Sequence, residues 1–217
     1  MEEQQEAETR ALILKHTEVT CAPLVPGVRL RLITAQCEGY FPSTTERSLP
    51  WEMPFWAFAW PGGQVLAQFL QQQGHLVHGK RVLNIGSGCG IESIVAAQSG
   101  AAQVTSNDID PVAAIAGQLN AQLNEITLDF SRENRIGSPV TADVILAGDV
   151  WYSPELAAQM VPWLRQCARD SLVLVGDARR VPLPSDVGTV LWRADAPFDG
   201  AVGSALWPCD VVQLKPA

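Results

Sequence analysis

The chain has 217 residues, of which 47% are apolar and 18% charged, with a net charge of −8. That length supports one sizeable core. The acidic balance argues against a phosphate-tracking nucleic-acid binder, which needs excess Lys and Arg, and suits a basic protein or peptide as partner.

The N-terminus, MEEQQEAETR, is acidic and lacks an apolar core, so neither a secretory signal nor a transit peptide is expected. Residues 2–15 predict a helix with a weak apolar face from Ala11, Leu12 and Leu14. Pro23, Pro26 and Gly27 mark a turn, and Val28 to Ile33 alternates apolar residues with Arg as a half-buried strand does. Residues 40–56 carry Tyr40, Phe41, Pro42, Pro50, Trp51, Pro54, Phe55 and Trp56, too rich in proline for a helix. They predict a loop that covers a pocket or is pinned to the core by its rings. Trp60-Pro61-Gly62-Gly63 opens a helix from about Gln64 to Gln72, with Gly74 as its C-terminal cap. His75 and His78 have no acid or Cys nearby and read as a solvated loop.

Residues 81–85 form a short apolar strand that runs into Gly86, Gly88 and Gly90, with a helix over 91–98 behind them. A second strand, 102–108, ends in Asn107-Asp108. Strand, glycine turn, helix, strand, acid is the layout of a nucleotide-binding βαβ unit. Glycines let the backbone turn sharply and let a ligand approach closely, and the new helix offers free N–H groups. An acid after the second strand can take both hydroxyls of a ribose. The spacing is G-x-G-x-G, which leaves a dinucleotide or S-adenosylmethionine open at this point.

Pro111 starts a helix to about Leu123, which Asp110 is placed to cap. Strands are expected at 126–130, at 143–147 and at 172–175, with a helix from Pro154 to about Ala168. The 143–147 run is continuously apolar after its acid, as a strand buried on both faces should be. It ends in Gly148-Asp149-Val150-Trp151-Tyr152. Two last strands, 189–193 and 205–214, follow without a long helix between them. Dinucleotide folds usually continue to a sixth parallel strand, so this β-rich tail favours S-adenosylmethionine. Arg165 with Arg169, and Arg179 with Arg180, are the candidates for a local basic patch. Five scattered cysteines without a C-x-x-C suggest neither a disulfide framework nor a zinc site. A reducing compartment fits, and no apolar run approaches the ~18 residues of a membrane span.

Four segments together carry a resemblance: PFWAFAWPGGQVL (54–66), VLNIGSGCG (82–90), SNDIDP (106–111) and GDVWY (148–152). The combination resembles the seven-β-strand lysine methyltransferases of methyltransferase family 16, with their D-x-x-Y signature after the fourth strand. TEVT (17–20), LRLIT (30–34) and GDARR (176–180) are similar too, so the likeness runs from about residue 10 to the end. Within that group the chain resembles the enzymes that methylate the β subunit of electron transfer flavoprotein.

The resemblance implies an α/β fold: a Rossmann-like, seven-stranded S-adenosylmethionine-dependent methyltransferase with an N-terminal helix/strand extension. Residues 1–50 would form the extension and 51–217 the methyltransferase domain, as one structural unit. The resemblance implies S-adenosylmethionine as donor and a protein lysine as acceptor, the flavoprotein β subunit being the expected substrate. Gly86, Ser87 and Gly88 are then expected at the methionine part of the donor, and Asp108, with Ile109, at the ribose. Glu133 and Asn134 are expected near the adenine, Trp60 over the donor and Gly148 beside it. Asp149 and Tyr152 are expected at the mouth where the lysine enters, Asp149 orienting the amine and also touching the donor. By position alone, Asp149 is equally suited to cap the helix near Pro154. One position departs from the family: Asn84 stands where an Asp is usual, which is expected to weaken donor affinity. A monomer is expected, without nucleic acid or membrane, in the cytoplasm, or in the mitochondrial matrix for a processed eukaryotic form. A methyltransferase of a small amine, an NAD-type oxidoreductase and a non-catalytic cofactor-binding protein remain as alternatives.

Overall fold

A computed structural model describes residues 2–37, 50, 51, 53–200 and 203–217. Helix α1 (Glu2–His16) leads into an antiparallel hairpin of β1 (Glu18–Ala22) and β2 (Val25–Leu32). The hairpin is separate from the main sheet. On β2, Val25, Val28, Leu30 and Leu32 are buried. Strand β1 was not expected from its own sequence. Its pattern buries only Ala22, and its place is set by pairing, Thr20 facing Leu30.

The rest alternates. Helix α2 (Pro61–Gln72) precedes β3 (Arg81–Ile85), α3 (Ile91–Gln98), β4 (Gln103–Asn107), α4 (Pro111–Leu123) and β5 (Asp129–Ser131). Then come β6 (Val144–Gly148), α5 (Pro154–Cys167), β7 (Leu172–Asp177), β8 (Gly188–Gly200) and β9 (Gly203–Leu214). The seven-stranded sheet has the order β5-β4-β3-β6-β7-β9-β8. Its first five strands are parallel, and β9 inserts antiparallel between β7 and β8. The two expected last strands therefore form a C-terminal hairpin, longer than their sequence suggested, because β8 and β9 pair along their whole length. Strand β5 begins later than expected, at Asp129.

Both faces of the sheet are covered, which is why its central strands are apolar throughout. Val144 and Leu146 of β6 point to the side of α2 and α3, where Leu66, Leu70, Ile91 and Ile94 are buried. Ile145 and Ala147 point to the other side, against Met160 and Leu164 of α5. A third cluster joins Ile13 of α1, Ile33, Trp56, Phe58 and the α4 residues Ala113, Ala116 and Leu119. Burying each large aliphatic side chain contributes about 1.5–3 kcal/mol, so these clusters dominate the stability of the fold.

Helix ends follow the sequence where capping chemistry is local. Asp110 accepts the Val112 N–H at 2.8 Å and caps α4. Ser153, not Asp149, caps α5 through the Leu156 N–H. Gly74 does not cap α2: Gln73 closes it, and residues 74–76 form a 3-10 turn. Among the described residues no helix is long and apolar enough to cross a membrane.

Candidate active site

The chain runs outward from β3 to β4 and β5, then returns to β6 on the other side of β3. Open α/β sheets bind ligands at such a reversal, beyond the carboxyl ends of the strands. A cavity of about 550 Å³ opens there, within the range of small-molecule sites. One end is walled by Gly86, Gly88, Asn107, Asp108, Ile109 and Asn134. The other is walled by Phe55, Trp60, Gly148, Asp149, Tyr152 and Arg180.

The first end is built from the glycine turn. Gly86, Gly88 and Gly90 have φ of 62°, 49° and 80°, a left-handed path that other residues follow only under strain. The turn is tied down by the Asp108 carboxylate, which accepts the Gly88 N–H at 2.9 Å and the Asp110 N–H at 3.0 Å. Burial pushes the Asp108 carboxyl above its usual range, against the lowering effect of those two N–H groups. Asn107 fastens the neighbouring loop, donating to Ser131 O and Glu133 O. Of the residues expected here, Ser87 and Glu133 do not line the cavity. Ser87 is buried behind the turn, its N–H bonded to Asn107 O at 3.0 Å. The Glu133 carboxylate pairs outward with Arg135 at 3.0 Å.

The second end centres on Asp149. This residue has φ of 54°, uncommon for a residue with a side chain, and is 8% exposed. Oδ2 accepts the N–H groups of Gly62 and Gly63, the latter at 3.2 Å, so Asp149 caps α2 from across the sheet. Oδ1 pairs with the Arg180 guanidinium. Burial raises the Asp149 carboxyl above its usual range, partly offset by Arg180 and the two N–H groups. Arg180 is itself sandwiched: its guanidinium carbon lies 5.5 Å from the Trp60 ring and 4.8 Å from the Trp207 ring. Trp60 stacks on Phe198 with centroids 5.0 Å apart and donates its indole N–H to Phe55 O at 2.8 Å. At the mouth, Tyr152 stacks on Phe55 with centroids 5.8 Å apart and planes 16° apart. Both rings are about half exposed, at 55% and 49%.

Sequence reasoning missed Arg180 as part of this site and named it only as a patch candidate. Its signal was present, since GDARR closes β7 at the same edge of the sheet as Asp149. No patch forms from the pair: Arg179 pairs with Asp210 while Arg180 turns inward. Arg165 and Arg169 are likewise engaged, with Asp186 and the last residue's carbonyl. Of the aromatic segment, Phe55 and Trp56 line the cavity and Trp51 packs edge-on against Trp56. Tyr40, Phe41 and Pro42 lie outside the described residues.

The site can hold a ribose-bearing ligand at one end and a cation or amine at the other. Asp108 presents a carboxylate already oriented by backbone N–H groups, and the glycine turn leaves its backbone open to close approach. Asp149, Tyr152, Phe55 and Trp60 offer one carboxylate and three aromatic faces for an amine.

Comparison with known proteins agrees with this architecture. A profile for ribosomal protein L11 methyltransferase (PrmA) matches residues 64–150. Among solved structures, the ribosomal protein L11 methylase of Lactobacillus delbrueckii subsp. bulgaricus aligns with a TM-score of 0.53 at 22% identity. That alignment covers 70% of this chain and 79% of that one. A putative RNA methyltransferase from Pyrococcus horikoshii aligns with a TM-score of 0.57 at 14% identity, covering 75% and 87%. These two share the fold. In sequence, the electron transfer flavoprotein beta subunit lysine methyltransferase of Xenopus laevis is 44% identical over 180 residues, covering 81% of this chain and 72% of that protein. The protein of the same name from Danio rerio is 39% identical, covering 81% and 69%. The human one is 37% identical, covering 80% and 67%. On this similarity the chain is a methyltransferase and belongs to the electron transfer flavoprotein beta subunit lysine methyltransferase family.

Proposed function

We propose that the protein transfers a methyl group from S-adenosylmethionine to a lysine ε-amine of a protein, the β subunit of electron transfer flavoprotein. The observation that carries the reading is the two-ended cavity, with a ribose-type acid at one end and a carboxylate among aromatic rings at the other. When bound, S-adenosylmethionine supplies an electrophilic methyl group on a sulfonium. Gly86, Gly88 and Gly148 would hold its amino-acid end, and Asp108 its ribose hydroxyls. Ile109 and Asn134 would wall the base, with Trp60 closing the site. Ser87 and Glu133 would act from behind, through the backbone they fix.

The protein's own contribution is mostly positioning, which is worth about 7–11 kcal/mol in well-oriented cases. The second need is a neutral amine, because a free lysine has a pKa of about 10.4. The aromatic walls remove water from the amine, and the Arg180 cation stands beside its path. Both effects favour the uncharged form. Asp149 is a poor base here, since Oδ2 is committed to two N–H groups and Oδ1 to Arg180. It suits an orienting role, accepting an N–H of the amine on a free lone pair so that the nitrogen lone pair faces the methyl group. The Phe55–Tyr152 pair forms an apolar slot for the lysine methylenes. Exposed Met53, whose carbonyl accepts the Phe55 N–H, adds apolar surface beside that slot and suits a macromolecular substrate.

The reading is tested by incubating the protein with S-adenosylmethionine labelled in the methyl group and purified flavoprotein, followed by mass spectrometry. Methylated lysine on the β subunit is expected, with label lost in Asp149→Ala. Absence of label from the flavoprotein would sink the substrate, and undiminished label in the variant would sink the role of Asp149.

A further inference from the structure

Glu92 is a buried acid that the reaction as described does not use. It lies in the first turn of α3, directly after the glycine turn, and is 4% exposed. Its carboxyl group fills a gap between α2 and β6. A Cβ on Gly63 would stand 3.0 Å from Oε1, and one on Gly148 would collide with it. Gly148 also lines the cavity, so the carboxyl lies immediately behind the cavity floor.

Its surroundings bring it polar contact but no cation among the described residues. From β3, the Asn84 side chain hydrogen-bonds it and also donates to Ser93 Oγ at 3.0 Å, which continues to Ser106 Oγ at 3.1 Å. Asn84 is fully buried and its Oδ1 has no partner. From the loop after β6 it faces Asp149, a like charge. From its own turn it faces the Cys89 thiol, which burial pushes up to about 12 and keeps neutral. Helix α2 brings only neutral residues, Gly62, Gly63 and Gln64. Arg180, which reaches this side of the sheet, is engaged by Asp149. Glu92 is thus a buried carboxyl without a counter-charge among the described residues, beside an unpartnered buried carbonyl and under a cavity floor made of glycine.

We propose that Glu92 is a positioning residue for the cofactor, its carboxylate balancing the positive charge of an ammonium group held over Gly86 and Gly148. The proposal rests on the reading of the cavity as a donor site. Burial raises the Glu92 carboxyl to about 7. An ammonium across Gly148 favours the ionised form and returns that value towards normal. Binding is then linked to pH: affinity rises as Glu92 ionises and levels off above about 7.

Calorimetric titration of the full chain with two ligands tests this. S-adenosylhomocysteine carries the ammonium, while 5′-methylthioadenosine is the same nucleoside thioether without the amino-acid end. For Glu92→Gln, which keeps the shape, S-adenosylhomocysteine should bind about tenfold more weakly, the equivalent of one pKa unit of coupling. Affinity for 5′-methylthioadenosine should stay unchanged. The unsubstituted protein should bind S-adenosylhomocysteine more tightly at about pH 8 than at about pH 6, and the variant should lose that trend. Equal loss for both ligands, or no loss for either, overturns the role of Glu92. If S-adenosylhomocysteine does not bind the unsubstituted chain, the donor reading of the cavity falls as well.

Discussion

Asp149 does three things at once, and each has a separate consequence. It satisfies two N–H groups at the start of α2, it neutralises Arg180, and it faces the cavity. Replacing it by Ala leaves those N–H groups and a guanidinium that is only 20% exposed without a partner. A loss of about 3–5 kcal/mol in urea denaturation is expected, as for breaking a buried ion pair. Adding Arg180→Ala should restore part of that loss, and a strictly additive double variant would refute the pairing. Asp108 differs, because it holds the glycine turn through backbone N–H groups, with no counter-charge among the described residues. Asp108→Asn should weaken S-adenosylhomocysteine binding about 10- to 100-fold, the worth of one charge-assisted hydrogen bond. The cysteines give a third check. Cys89 and Cys209 are buried with thiols raised to about 12, whereas Cys21 is exposed. A thiol reagent at about pH 8 should label Cys21 quickly and the buried pair only on unfolding, because the thiolate is the reactive form.

At the scale of elements, the start of α2 decides how the two ends of the cavity meet. Its first residues pack against the ends of β6 and β7 so closely that only glycine fits. A Cβ on Gly62 would collide with Gly176 O, which is backbone and cannot swing away. Gly62→Ala should therefore lift α2 and Trp60 from the sheet, costing about 1–3 kcal/mol and weakening ligand binding. Gly27→Ala, where a Cβ would meet nothing within 4 Å, serves as the neutral control. If both variants unfold at the same urea concentration, the close approach is not limiting. The expectations from sequence succeeded for elements whose signals are local. Arg81–Ile85, Ile91–Gln98 and Pro111–Leu123 have the expected bounds, because a glycine, a proline or, after Leu123, an asparagine stands at or close to each boundary. They failed for β1 and for the length of β8, whose place depends on a distant partner strand.

At the scale of the molecule, stability and binding pull Glu92 in opposite directions. Its folded value, about 7, lies above the ordinary 4.5. A raised folded value means that its contribution to stability is fully present below the unfolded value and is lost as pH rises through the folded one. Glu92→Gln should therefore gain melting temperature over the unsubstituted protein as pH rises from about 4.5 to about 7, and hold that gain above, by scanning calorimetry without ligand. A gap that does not widen with pH would show that burial does not raise the carboxyl above its ordinary value. Positions bearing function often carry such a cost elsewhere in a fold.

The amino-acid sequence alone determined the order of elements, the glycine turn, Asp108 and the β-rich tail, because these rest on backbone geometry and short-range periodicity. It also pointed to Asp149 and Tyr152 through their place after β6. Three things were decided by the tertiary structure. Asp149 caps α2, residues 61–72, and not the helix that follows it in sequence. Arg180 turns from the surface into the site, drawn by one carboxylate and two indole rings. Glu92 sits behind Gly148, although 56 positions separate them in the chain. Each is a meeting of charges or close backbones from separate strands, and no local pattern encodes it. Sheet order alone brings those groups to one edge, where burial then makes their pairing decisive.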